Sequence, residues 1–69
     1  MTNTELLEKK ISDSGLMKKY IAKMLNISPY CLAKKIRNES EFKTSEISIL
    51  CNLLVIKTLK EKEEIFFTN

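Results

Sequence analysis

The 69-residue chain has no histidine and no tryptophan, and only one glycine, one proline and two cysteines. Each shortage removes a class of structure or chemistry. Tight β-hairpin turns need residues that accept positive φ, and a single glycine leaves few places for them. Without histidine, and with no cysteine pair at ligand spacing, the usual zinc ligand sets cannot be assembled. There is no glycine-rich phosphate loop and no nucleophile beside a base. No catalytic site, metal, cofactor or small-molecule substrate is therefore expected. No apolar run reaches the ~18–20 residues of a membrane span. The opening MTNTELLEKK lacks the pattern of a signal peptide, so the expected compartment is the cytoplasm. There, Cys31 and Cys51, each beside a leucine in an amphipathic stretch, read as small buried hydrophobes rather than as a disulfide.

What the chain does have is helical rhythm. Hydrophobic residues make up 43% of it, enough for one small core, so residues 1–69 are expected to form a single all-α domain. A first helix is expected from Thr2 or Asn3, because Thr2 and Glu5 stand at capping-box spacing and Leu6, Leu7 and Ile11 form one stripe. Gly15 stops it in a left-handed conformation. A second helix is expected from about Met17 to Leu25, with Ile21, Met24 and Leu25 at core spacing and Ala22 allowing close approach. Asn26 then takes a left-handed turn, Ile27 turns inward, Ser28 caps, and Pro29 opens a third helix to about Arg37. Phe42 is expected to tuck in from the loop 38–43. Thr44 caps a fourth helix carrying Ile47, Leu50, Cys51 and Leu54, and Val55-Ile56 closes it. Thr58 and Glu61 form a second capping box for a fifth helix, with Leu59 and the apolar end Ile65-Phe66-Phe67.

Charge is unevenly spread. Residues 1–43 hold nine Lys/Arg against five Asp/Glu, whereas residues 44–69 hold three against four. Within Met17–Arg37 there are six cations (Lys18, Lys19, Lys23, Lys34, Lys35 and Arg37) and no acid. This is the window that holds the two short helices and their three-residue break, the spacing of a helix-turn-helix. If Leu32 and Ile36 face inward, the helical period places Tyr30, Ala33, Lys34 and Arg37 on the outer face. Such a face suits the major groove of B-DNA, where Lys or Arg can donate to guanine O6 and N7 and a small residue can meet a thymine methyl. Cys31 and Lys35 fall on its flank and are not expected to touch nucleic acid, Lys35 reading as part of a solvated edge. Lys18 and Lys19 open the second helix, where cations slightly oppose the helix dipole and a docked phosphate would reverse that cost.

Residues 5–56 resemble the Cro/CI-type (XRE) helix-turn-helix repressor family of phages and bacteria. The resemblance is carried by Leu16, Ile21-Ala22, Leu25, Asn26-Ile27-Ser28, Leu32, Ile36 and Asn38, with Ile47, Leu50 and Leu54 matching a fourth helix. It implies a compact five-helix bundle of the lambda-repressor-like type with the helix-turn-helix at about 17–37. Base contacts would fall on Pro29, Tyr30, Ala33 and Lys34. Phosphate contacts would fall on Lys18, Arg37, Asn38 and Lys43, with Lys19 beside them. The implied partner is double-stranded operator DNA, bound by a small phage or prophage repressor in the cytoplasm of a bacterial host. Such a short domain leaves no room for a sensor domain. Ile65, Phe66 and Phe67 offer more apolar surface than one core face needs, so they are the candidate surface for a homodimer, with closure of the core by at least one of the aromatics as the alternative. The chain departs from the family pattern at Asn26 (usually glycine), at Lys18 (commonly glutamine) and at Glu39 and Glu41 in the loop after the third helix. Those two acids and the apolar tail also carry a second reading, a protein-binding modulator, antirepressor or co-repressor, that pairs with a partner repressor through the same fold.

Overall fold

Five α-helices and no strand make up the described residues, 1–68, of the computed structural model. They are α1 (Thr4–Ser14), α2 (Lys18–Met24), α3 (Pro29–Ile36), α4 (Thr44–Leu53) and α5 (Leu59–Phe66). The radius of gyration, 10.7 Å, matches the roughly 11 Å of a compact chain of this length. No helix is long and apolar enough to cross a membrane, and no group of metal-ligating side chains is assembled, among the described residues.

Every helix contributes to one core: Leu7 and Ile11 from α1, Ile21 and Ala22 from α2, Leu32 and Ile36 from α3, Ile47 and Leu50 from α4, Ile65 and Phe66 from α5. Leu25, Leu54 and Ile56 enter it from the helix ends, and Phe42 packs its ring edge-on against Phe66 with centroids 5.8 Å apart. Of the two outcomes open to the tail, core closure is the one taken by its first two apolar residues. Ile65 and Phe66 are only 2% and 3% exposed because they close this core, so neither is free for a dimer contact, and only Phe67 stands out at the helix end. Met24, expected inside, is largely exposed, since the seven residues of α2 bury a single stripe through Ile21 and Ala22. Cys31 is exposed as well, on the flank of α3 beside its buried stripe.

The helix ends follow local chemistry closely. Asn3, not Thr2, caps α1: its side chain accepts the Leu6 amide at 3.1 Å. Ser28 accepts the Cys31 amide at 3.1 Å, and Thr58 the Glu61 amide at 3.2 Å. Lys43, rather than Thr44, holds the cap position of α4, and its amide donates to Glu46 Oε1 at 2.8 Å. The stops after α2, α3 and α4 share one geometry. A residue with positive φ stands in each (Asn26 at 59°, Asn38 at 65°, Val55 at 56°). The next amide reaches back over the last turn: Ile27 to the Ala22 carbonyl, Glu39 to Lys34, Ile56 to Cys51. This is the Schellman arrangement, which satisfies carbonyls that the helix leaves open. Gly15, at φ 75°, turns the chain out of α1.

Asparagine accepts the left-handed region readily, but a β-branched residue does not. Val55 is held there because Ile56, one residue on, is buried, while the Val55 side chain itself is mostly exposed. Replacing it removes strain at little loss of packing. We expect Val55→Gly to stabilise the domain by about 1 kcal/mol, part of the strain being offset by the freer unfolded chain. The check is the urea midpoint, and an unchanged or lower value would show that Val55 is not strained.

Candidate nucleic-acid interface

The α2–turn–α3 unit is built from short-range rules and then clamped by the core. The turn at Asn26 reverses the chain, Ile27 packs partly against the core, and Ser28 with Pro29 starts α3 at once. On α3, Leu32, Lys35 and Ile36 are buried, which leaves Tyr30 and Arg37 outside with Ala33 and Lys34 half-exposed between them. The Lys34 ammonium lies 5.6 Å from the centre of the Tyr30 ring, one turn earlier on the same face. That distance is within cation–π range, so the two side chains order each other on an exposed ridge.

The residues expected to meet DNA divide into three groups. Pro29, Tyr30, Ala33, Lys34 and Arg37 come together on α3 as the helical period requires. Lys18, Lys19 and Lys43 are all exposed, but each has a different setting. Lys18 is paired with Glu8 at 2.8 Å, and Arg37 is likewise paired with Glu39 at 2.7 Å. Both pairs are half-exposed, a setting in which an ion pair contributes only about 0–1 kcal/mol and exchanges readily for another anion. Lys19 borders an apolar groove with Met17, Tyr20 and Pro29, and Lys43 stands at the start of α4. Asn38 is engaged within the fold. Its side chain accepts the Thr2 amide at 2.8 Å and donates to the Thr2 carbonyl at 2.7 Å, so both of its polar atoms are engaged. Its side chain holds an internal strap.

That strap fixes the end of α3. Beside the Asn38–Thr2 pair, the Thr4 hydroxyl donates to the Ile36 carbonyl at 2.6 Å. The Asn3 amide donates to the Ile65 carbonyl at 2.6 Å and the Thr68 amide to the Met1 carbonyl at 3.0 Å. Residues 1–4 thus join the last turn of α3 to the last turn of α5.

The residue that sequence reasoning missed is Lys35. It does not lie on a solvated flank. It is buried, and its ammonium donates to Glu46 Oε1 at 2.6 Å, with side-chain exposures of 10% and 7% for the two partners. Glu46 Oε1 also takes the Lys43 amide, so one carboxylate oxygen joins α3 to the cap of α4. A signal was present: Leu32, Lys35 and Ile36 stand at i, i+3 and i+4, a spacing that turns Lys35 toward the core. Burial by itself would raise the Glu46 pKa. The hydrogen bonds from Lys35 and the Lys43 amide, with the charges of both lysines, outweigh it and hold the carboxyl below its ordinary value. Glu61, hydrogen-bonded and ion-paired to Lys10 at 2.8 Å between α5 and α1, is lowered in the same direction.

No protein-family model, curated protein or solved structure matches the chain.

Removing one partner of a buried pair strands the other charge, at a cost of about 3–5 kcal/mol. A 69-residue domain has only about 3–10 kcal/mol of stability in all. Lys35→Ala should therefore lose most of its cooperative unfolding transition by circular dichroism. The apolar pair Lys35→Met with Glu46→Leu should retain it; a Lys35→Ala protein as stable as the parent would show that the pair contributes nothing. The lowered Glu46 pKa sets a pH dependence of definite sign. Its contribution is complete above the ordinary glutamate pKa of about 4.3 and is lost as pH falls through the lower folded value. Between pH 7 and pH 3 the parent should lose more stability in urea than the apolar double variant, and equal losses would contradict the assignment.

Proposed function

We propose that the protein binds double-stranded DNA in a sequence-selective manner through α3 and acts as a transcriptional regulator by occupying its site. The observation that carries this reading is the ridge of Tyr30, Lys34 and Arg37. It projects from a short helix whose opposite stripe is buried, inside a window of six cations and no acid. An α-helix of this width enters the major groove, and Lys34, steadied over Tyr30, offers donors to guanine acceptors. Ala33 allows close approach, and Pro29 leads the helix inward without presenting an amide that needs a partner.

Lys18, Arg37 and Lys43 serve the backbone of the duplex. The acids that hold Lys18 and Arg37 act as placeholders, exchanged for phosphate when DNA arrives, with release of counterions on the nucleic-acid side. Glu39 and Glu41 lower affinity near the end of α3, which favours a regulator that gains strength by pairing on two half-sites. One such module covers only about 600–1,000 Å² of protein surface, so pairing matters for occupancy. With Ile65 and Phe66 committed to the core, Phe67 is what the tail can offer to a second copy. The resemblance to Cro/CI-type regulators points the same way, toward an operator-binding repressor from a phage or prophage.

The test is selection of bound duplexes from a random pool, followed by salt titration. Lys34→Ala should change base preference at one position, by about 1–3 kcal/mol. Lys18→Ala should weaken all sequences alike and reduce the log–log salt slope by about 0.9. If no duplex is enriched and neither change alters binding at low salt, DNA is not the ligand and the protein-partner reading takes its place.

A further inference from the structure

A second surface lies beside the DNA-facing ridge. Between the start of α2 and the turn runs an open groove of about 420 Å³, lined by Met17, Lys19, Tyr20, Lys23, Ile27 and Pro29. Its walls are almost entirely apolar, and Met17 is 71% exposed and Tyr20 45%. Two features mark it as more than a gap between side chains. The first is charge. Lys19 and Lys23 stand on its rim, and neither has a carboxylate within ion-pair distance among the described residues, whereas nearby Lys18 and Arg37 each do. The second is placement. Lys19 and Lys23 are four residues apart on α2, where like charges repel and weaken a helix. With no acid between Met17 and Arg37, nothing local relieves that repulsion.

We propose that this groove docks an acidic segment of a partner protein, seated by one large apolar side chain between Tyr20, Met17 and Pro29 and held by carboxylates on Lys19 and Lys23. An apolar anchor in a pocket with a charged rim is the usual division of labour at a protein interface: the anchor gives affinity, the charges give orientation and speed of association. Phosphate matches the rim but gains nothing from the apolar walls. A neutral apolar segment matches the walls but leaves both ammonium groups without partners. Only a chain that supplies an aromatic or aliphatic side chain and acids within a few residues satisfies both. The groove shares Pro29 and Lys19 with the DNA-facing surface, but Tyr20 and Lys23 lie on α2, outside the ridge of α3, so variants at these two positions test the groove without touching the ridge.

The test pans a displayed library of short random peptides against the full 69-residue chain. Enriched peptides should pair a Phe, Leu, Met or Trp with Asp or Glu within one helical turn. Titrated by fluorescence anisotropy, the synthesised winner should bind about tenfold more weakly to Tyr20→Ala and to Lys23→Glu. A peptide with lysine in place of its acid should recover binding to Lys23→Glu. Should Tyr20→Ala prove unfolded by circular dichroism, Met17→Ser, at a more exposed position, replaces it with the same expected loss. Enrichment of peptides without acids, no enrichment at all, or binding indifferent to these changes would overturn the proposal. So would tight binding of a peptide copying residues 58–69 together with dimerisation of the chain, since the occupant would then be a second copy. If random duplex DNA alone bound, and lost affinity on Tyr20→Ala, the groove would be part of the DNA surface and the proposal would fail. Such a result would leave the function proposed above standing, while failure of DNA binding leaves this groove untouched.

Discussion

A single carboxylate oxygen, Glu46 Oε1, accepts hydrogen bonds from the ammonium of Lys35 and the amide of Lys43 inside a domain closed mainly by apolar side chains. Charges are held in such a place only when each has a partner, so this junction constrains more than the local helix ends. Lys35 cannot leave the core without stranding Glu46, and α3 therefore cannot roll about its axis. Its buried stripe and its exposed ridge are fixed together. The Phe42 ring, 6.0 Å from the Lys35 ammonium, covers the pair on one side and contacts Phe66 on the other, so the junction also reaches α5. Lowered pKa, buried lysine and immobile ridge are aspects of one arrangement.

Around that junction the chain ends supply a second constraint. Thr2 and Thr4 hold Asn38 and Ile36 at the end of α3, while Asn3 meets Ile65 on α5. Asn38 thus does two jobs: its backbone adopts the left-handed turn that ends α3, and its amide group fixes the amino-terminal strap. A glycine there would satisfy the first and lose the second. For the proposed reader of DNA this division has a consequence. The beginning of α3 is set by the turn at Asn26 and the cap at Ser28, and its end by the strap, so the ridge is positioned from both sides before any duplex is met. Preorganisation of this kind reduces what binding must spend on ordering side chains.

The helices were legible in the sequence, and so were most of their ends, because caps and stops are local. Ser28 before Pro29, Gly15 after Ser14 and Thr58 before Glu61 act through atoms no more than a turn away. Where legibility failed, the cause was a partner distant in sequence or a face with too few residues to show its period. Lys35 reads as a surface residue because its partner lies eleven positions on. The strap made by Asn38 does not show in the sequence because Thr2 is thirty-six positions back. Whether Ile65 and Phe66 close the core or face a second copy depends on a cavity that exists only after α1 and α3 are in place. Met24 reads as an inward residue because four apolar residues in seven do not reveal which of them the packing will choose.

The amino-acid order by itself determined five short helices, a turn of three residues between two of them, and a cationic window without acids, since propensity, capping and charge act within a few residues. Tertiary packing alone decided which lysine is buried and which stand free, which apolar residues close the core and which line an open groove. Those outcomes depend on what stands opposite each side chain, and helical period specifies a direction for a residue without specifying its neighbour.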